Sequence, residues 1–125
     1  MNQERFEKGL AVRREVLGAD YVDRSLANAD DFTRPMQELV TEYCWGEIWT
    51  QPELPRQTRS LINIAMISAL NRPHELQLHL RGALRNGCTK DEIRAVLLQV
   101  AIYCGVPAAI DGFRIASTVL KEGEA

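Results

Sequence analysis

Proline and glycine cut this chain into pieces one helix long, and nothing between the cuts alternates with the period of two that marks a strand. The first piece, over residues 3–17, carries Phe6, Leu10, Val12, Val16 and Leu17 on an irregular apolar face and stops at Gly18. A short amphipathic piece over 20–29 gathers Tyr21, Val22 and Leu26 before Asp30-Asp31 breaks it. In the third, over 33–48, Thr33 is placed to cap and Pro35 suits an early position. Met36, Leu39, Val40, Tyr43, Cys44 and Ile48 then repeat at helical spacing, so this stripe is expected to face inward. Gln51-Pro52-Glu53-Leu54-Pro55 reads as a turn, with Pro55 opening a helix to about residue 70. Its run from Leu61 to Ile67 is apolar nearly all round, which predicts burial on every side, in a core or against another subunit. A fifth helix over 73–86 ends at Gly87. Thr89-Lys90-Asp91-Glu92 is a capping box that starts a sixth, to about residue 103. After Gly105-Val106-Pro107 a last helix runs to about 121. The fold class is all-α, with about six to seven helices.

At 125 residues, 46% of them hydrophobic, the chain is expected to be a single domain, 1–125, large enough to close a core without disulfides or metals. A charged fraction of 26% and a net charge of −2 speak against disorder and against a nucleic-acid partner, which requires a basic domain. The charge-free stretch from Ala95 to Ile110 is short for a bilayer span and is interrupted by Gln99, Gly105 and Pro107. The charged N-terminus lacks the apolar segment of a signal peptide. A soluble, cytoplasmic protein is therefore expected, with no membrane partner. Cys44, Cys88 and Cys104 are odd in number and widely spaced, which points to three reduced, packed thiols rather than a disulfide, zinc or dithiol motif.

Two ionisable residues fall on stripes that should be apolar. Glu47 lies on the face implied by positions 36, 39, 40, 43, 44 and 48, and His79 lies among Leu76, Leu80, Ala83 and Leu84. A buried charge is costly unless it has a partner or a task, so both are candidate site residues. The bland alternatives are a satisfied core histidine and a buried ion pair between Glu47 and Arg59. Charge is also uneven: from Leu54 to Lys90, Arg56, Arg59, Arg72, Arg81, Arg85 and Lys90 face the single acid Glu75. Arg81 and Arg85, one turn apart, read as a solvated face, whereas Arg56 and Arg59 precede the apolar run and suit an anion site.

Three strings then combine: Glu42-Tyr43-Cys44-Trp45-Gly46-Glu47-Ile48-Trp49, Arg56-Gln57-Thr58-Arg59-Ser60-Leu61 and His79-Leu80-Arg81-Gly82-Ala83-Leu84-Arg85-Asn86-Gly87. With the tail Ile102-Tyr103-Cys104-Gly105-Val106-Pro107-Ala108-Ala109, the chain resembles the γ-carboxymuconolactone decarboxylases of the alkylhydroperoxidase-D-like superfamily. The resemblance spans nearly the whole chain, about residues 6–120. It implies an all-helical subunit assembling into a homo-oligomer, typically a hexamer. It also implies cofactor-free decarboxylation of 4-carboxymuconolactone to the β-ketoadipate enol-lactone in protocatechuate breakdown. The superfamily's peroxidase branch carries C-x-x-C-x-x-x-H with an upstream Glu. Laying its His on His79 puts Arg72 and Glu75 at the thiol positions and Ser60 at the Glu position, so both nucleophiles are missing.

The implied substrate, a small anionic lactone, sets three tasks. Arg59 and Arg56 suit an anion clamp on the spectator carboxymethyl group. A donor must meet the dienolate oxygen, and an acid must protonate the carbon α to the carbonyl; His79 is expected as the acid, with Glu47 orienting it or donating. Trp45, Trp49 and Tyr103 are expected as apolar walls. No metal or cofactor is required, because the lactone carbonyl accepts the electron pair. Two readings stand against this one: a thiol-dependent peroxidase or oxidoreductase on the same fold, and a non-catalytic helical oligomeric binding module.

Overall fold

The computed structural model describes residues 1–123. Seven α-helices and one π-helical segment make up its secondary structure: α1 Gln3–Leu17, α2 Ala19–Ala27, α3 Arg34–Leu39, the π segment Val40–Ile48, α4 Arg56–Leu70, α5 Pro73–Arg85, α6 Lys90–Cys104 and α7 Val106–Glu122. No strand occurs among the described residues. Local chemistry sets most boundaries. The Asn2 side chain caps α1 by accepting from the Arg5 backbone N–H at 3.0 Å. Thr89 and Glu92 form the reciprocal capping box, each side chain accepting from the other's backbone N–H, at 3.0 and 2.8 Å. The single residue between α6 and α7 is Gly105, at φ 109°, a backbone region closed to most side chains.

The described residues fall into two compact units, one over Met1–Pro55 and a second beginning at Arg56. In the first, α1 packs along the π segment and α2 returns beside α1. Arg14 donates to Asp23 at 2.6 Å across the α1–α2 seam, but both side chains are about half exposed, so the pair is worth at most about 1 kcal/mol. Val16, Leu17 and Val22 are buried, at about 1.5–3 kcal/mol each, and outweigh that ion pair.

The third helix departs from expectation in three ways. Thr33 does not cap through its side chain; its hydroxyl instead closes a turn with Asp30, accepting from the Asp30 N–H at 3.0 Å. The helix is α only as far as Leu39 and then widens, so that Trp49 N–H bonds to the Cys44 carbonyl at 3.0 Å, five residues back. Its buried face is Thr41, Glu42, Trp45, Gly46 and Trp49, and the apolar stripe Met36, Leu39, Tyr43 and Ile48 faces outward. Backbone proximity explains the reversal. A Cβ on Gly9 would overlap the Thr41 carbonyl oxygen, and one on Gly46 would overlap the Arg5 carbonyl oxygen. The two glycines let α1 and the π segment touch main chain to main chain, which selects the face that carries Gly46.

The polar groups enclosed there are bonded only in part, since the buried Nε of Arg13 has no hydrogen-bond partner. Arg13, only 5% exposed, donates from Nη1 to Gln37 Oε1 and Thr41 Oγ1, both at 3.0 Å, and Thr41 donates to the Gln37 carbonyl at 2.7 Å. Burial pushes the Arg13 guanidinium below its ordinary pKa, opposed by the fields of Tyr21 and Cys44.

The second unit is a four-helix arrangement in which α4 packs on α5 and α6, and α7 on α5 and α6. Its core holds Ile64, Leu76, Leu80, Ala83, Cys88, Ile93, Leu97, Ala116 and Val119. α4 is covered on one face only: Ser60, Ile64 and Ser68 are buried, whereas Ile62, Met66 and Leu70 are exposed. The expected burial on every side is therefore not met within the chain. Arg81 is more than a solvated residue, since it grips Glu122 through two bonds of 2.7 and 3.0 Å that tie α5 to α7. No helix of the described residues is long and apolar enough to cross a membrane.

Candidate functional site

α5 presents Leu76, Leu80 and Ala83 to the core, and His79 sits on the edge of that stripe, half-buried. Burial disfavours the imidazolium and holds the His79 pKa below its ordinary value; Glu75, one turn earlier, opposes this more weakly. Across the seam, Asn63 of α4 brings its side-chain nitrogen to 3.4 Å from His79 Nδ1. Two further polar links cross the same seam. Asn86 Nδ2 donates to Ser60 Oγ at 2.9 Å, and the Cys88 thiol donates to the Gln57 carbonyl at 3.4 Å. Antiparallel helices pair positions whose numbers run in opposite directions, which is the order of Asn63 with His79, Ser60 with Asn86 and Gln57 with Cys88. Ser60, the position where the peroxidase pattern carries Glu, is fully buried.

Arg56 and Arg59 occupy the first turn of α4, both half-buried. Their charges add to the positive end of that helix's dipole, which favours an anion there. Tyr103 goes elsewhere within the second unit. It is 82% exposed and lines a cavity of about 320 Å³ with Thr58, Leu61, Ile62 and Ala65, roughly half a turn round α4 from Asn63. The structure does not bring it beside His79 within this unit.

The remaining expected residues belong to the first unit. Trp45 and Trp49 are buried and stacked, with ring centroids 4.7 Å apart and planes tilted by 31°. Glu47 is not interior: its side chain is 51% exposed and its carboxylate lies 3.5 Å from Arg5, beside a polar cavity also lined by Lys8 and Thr50. The buried acid is Glu42, which accepts from the Asn2 N–H at 2.8 Å and pairs with Arg5 at 3.5 Å. Arg5 also lies over the Tyr43 ring, 4.7 Å from its centroid. The stripe that put Glu47 inside was the outward one, so the inference failed with it.

Sequence reasoning passed over Asn63, Glu42 and Arg13. Asn63 had a signal, being the one polar residue between Leu61 and Ile67. Glu42 and Arg13 had none, since their burial depends on the Gly9 and Gly46 contacts. The thiols are not all packed: Cys88 is buried, but Cys44 and Cys104 are exposed, Cys44 on the outward stripe and Cys104 at the end of α6. Desolvation raises the pKa of Cys44, and that of Cys88 rises through desolvation and the field of Glu92. No group of His, Cys, Asp or Glu suited to a metal ion occurs among the described residues.

The chain is thus an all-α protein whose candidate chemistry centres on a desolvated histidine at a helix seam. It belongs to the carboxymuconolactone decarboxylase family, whose profile matches residues 34–118. A 4-carboxymuconolactone decarboxylase of Acinetobacter baylyi is 44% identical over 121 residues, covering 97% of this chain and 90% of that protein. A nitrosuccinic acid decarboxylase, npaB, of Metarhizium robertsii is 42% identical over 122 residues, covering 98% of this chain and 85% of that protein. A 4-carboxymuconolactone decarboxylase of Pseudomonas putida is 40% identical over 45 residues, 36% of this chain and 94% of that sequence.

Proposed function

We propose that this protein decarboxylates 4-carboxymuconolactone to the β-ketoadipate enol-lactone without a cofactor. The observation that carries the reading is the 44% identity to a 4-carboxymuconolactone decarboxylase over 97% of the chain. In this substrate one ring carbon bears both the departing carboxylate and a carboxymethyl group. The C–CO2 bond breaks, its electron pair moves through the ring double bond onto the lactone carbonyl oxygen, and a proton then adds at the α-carbon. Arg59 and Arg56 clamp the carboxymethyl group, supported by the positive end of α4. His79 serves the developing enolate, and Trp45 and Trp49, buried against each other in the first unit, are left out of this constellation. Glu47, exposed and paired with Arg5 in the first unit, is left out of this constellation. Tyr103 is left out of this constellation because it lines a different face of α4.

A second substrate is favoured by the 42% identity to a nitrosuccinic acid decarboxylase. Nitrosuccinate also carries a carboxymethyl group on the carbon that loses CO2, and its nitro group receives the electron pair as a nitronate. The same clamp and donor suit both molecules. The whole chain, 1–125, is the catalytic domain in this reading. It works in the cytoplasm as a homo-oligomer, with the hexamer as the expected number, and the exposed apolar residues of α4 support that assembly. Incubating the protein separately with each substrate and following CO2 release tests the proposal. Turnover of the lactone is expected, and silence with both substrates from a folded, assembled protein refutes the decarboxylase reading. A thiol-blocking reagent should leave the lactone activity intact, whereas its loss would restore the thiol-dependent alternative.

A further inference from the structure

The carboxamide of Asn63 interrupts an otherwise apolar stretch of α4, half-buried and directed at one ring nitrogen of His79, 3.4 Å away. An amide N–H can only donate, so with the carboxamide in this orientation Nδ1 is the acceptor, which corresponds to the tautomer with its proton on Nε2. The seam that holds this pair is pinned nearby by the Ser60–Asn86 and Gln57–Cys88 links, so the register between Asn63 and His79 is built in. We propose that Asn63 is a positioning residue that holds His79 in the Nε2–H tautomer, making it a neutral hydrogen-bond donor to the developing enolate oxygen rather than an imidazolium acid. The role in catalysis rests on the decarboxylase reading above; the tautomer does not.

Two observations favour the neutral form against the weaker opposing field of Glu75. Desolvation disfavours the imidazolium, and Asn63 offers Nδ1 a donor that an imidazolium has no lone pair to accept. A neutral imidazole is a poor acid but a good donor, and neutral histidines are known to polarise carbonyls in this way. Water then protonates the α-carbon, and the hydroxide left behind combines with the released CO2 as bicarbonate, so the balance requires no other reactant.

The test begins without substrate. Protein labelled with nitrogen-15 in its histidine rings should show, near neutral pH, a pyridine-like Nδ1 and a pyrrole-like Nε2 for His79. A proton on Nδ1, or on both nitrogens, overturns the proposal in the wild-type protein itself, whether or not any variant folds. Asn63→Asp presents an acceptor in place of the donor and should draw the proton to Nδ1. Its kcat should fall by about 10²–10³-fold, the loss expected when one oriented donor is removed, with KM little changed. Asn63→Leu should leave a mixture of tautomers and an intermediate kcat. An unchanged tautomer and unchanged kcat in a folded Asn63→Asp protein also overturn the proposal. The expected tautomer in a protein that releases CO2 from neither substrate refutes the catalytic role through the decarboxylase reading, which separates the two failures.

Discussion

A histidine on an apolar helix stripe is the residue whose task is most visible in the sequence, because burial of a titratable ring needs compensation. His79 does sit on that stripe's edge, and because burial disfavours its charged form, the proposed role is a neutral hydrogen-bond donor where the sequence led to the expectation of a proton donor. The two roles separate by substitution. His79→Leu should lower kcat by about 10²–10⁴-fold in steady-state assays, the usual range for a lost proton-transfer or donor group. His79→Gln should recover part of that loss through its amide N–H; if it is as inactive as His79→Leu, the acid role returns. The pKa shift also sets a sign for stability. Above the ordinary histidine value of about 6.5 the ring is neutral in both states. Below it the unfolded chain takes up a proton that the buried ring resists, so stability should fall as pH drops through the depressed folded value. Denaturant midpoints between neutral pH and mild acid should show this slope in the wild type and lose it in His79→Leu. Arg59, in the first turn of α4, should behave differently: Arg59→Ala should raise KM strongly with a smaller change in kcat, because a clamp holds ground and transition states alike.

At the scale of elements, helix limits were largely legible because they depend on local chemistry. α1 occupies Gln3–Leu17 as expected, and the capping box of Thr89 and Glu92 opens α6. What failed was the facing of the third helix. An apolar stripe is normally the buried one, but here two glycines on different elements let backbones meet, and close main-chain contact outweighed side-chain hydropathy. Neither glycine signals this in sequence, since the partner of each lies roughly thirty to forty residues away. Gly9→Ala should destabilise the protein by about 1–3 kcal/mol or more, read as a lower denaturant midpoint, because the obstructing atoms belong to the backbone and cannot rotate aside. An Ala at the exposed helical position Ser117 is the control and should change stability by less than about 0.5 kcal/mol. Equal midpoints for Gly9→Ala and wild type would mean that the two elements do not touch as described.

For the whole molecule, the exposed residues carry the argument. Ile62, Met66 and Leu70 on α4, with Leu98 and Ile102 on α6, are large apolar side chains left uncovered by their own chain. Burying side chains of this kind is worth about 1.5–3 kcal/mol each, enough for a handful to drive association. Light scattering at micromolar concentration should therefore give a mass that is a multiple of the 14.1 kDa chain. Met66→Glu should reduce that mass by placing a charge in the contact. A monomeric wild type would remove the assembly from the proposal.

The amino-acid sequence alone determined the all-α class, the positions of the helix breaks, the Thr89 cap and the presence of His79 on a core stripe. These follow from interactions within a few residues, where spacing and side-chain chemistry decide the outcome. Tertiary structure alone decided that Glu42 rather than Glu47 is buried, that Arg13 is enclosed by neutral acceptors, and that Asn63 reaches the His79 ring. Each of those depends on which surfaces come together, and backbone contact at Gly9 and Gly46 or register along the α4–α5 seam leaves no periodic trace in a single chain.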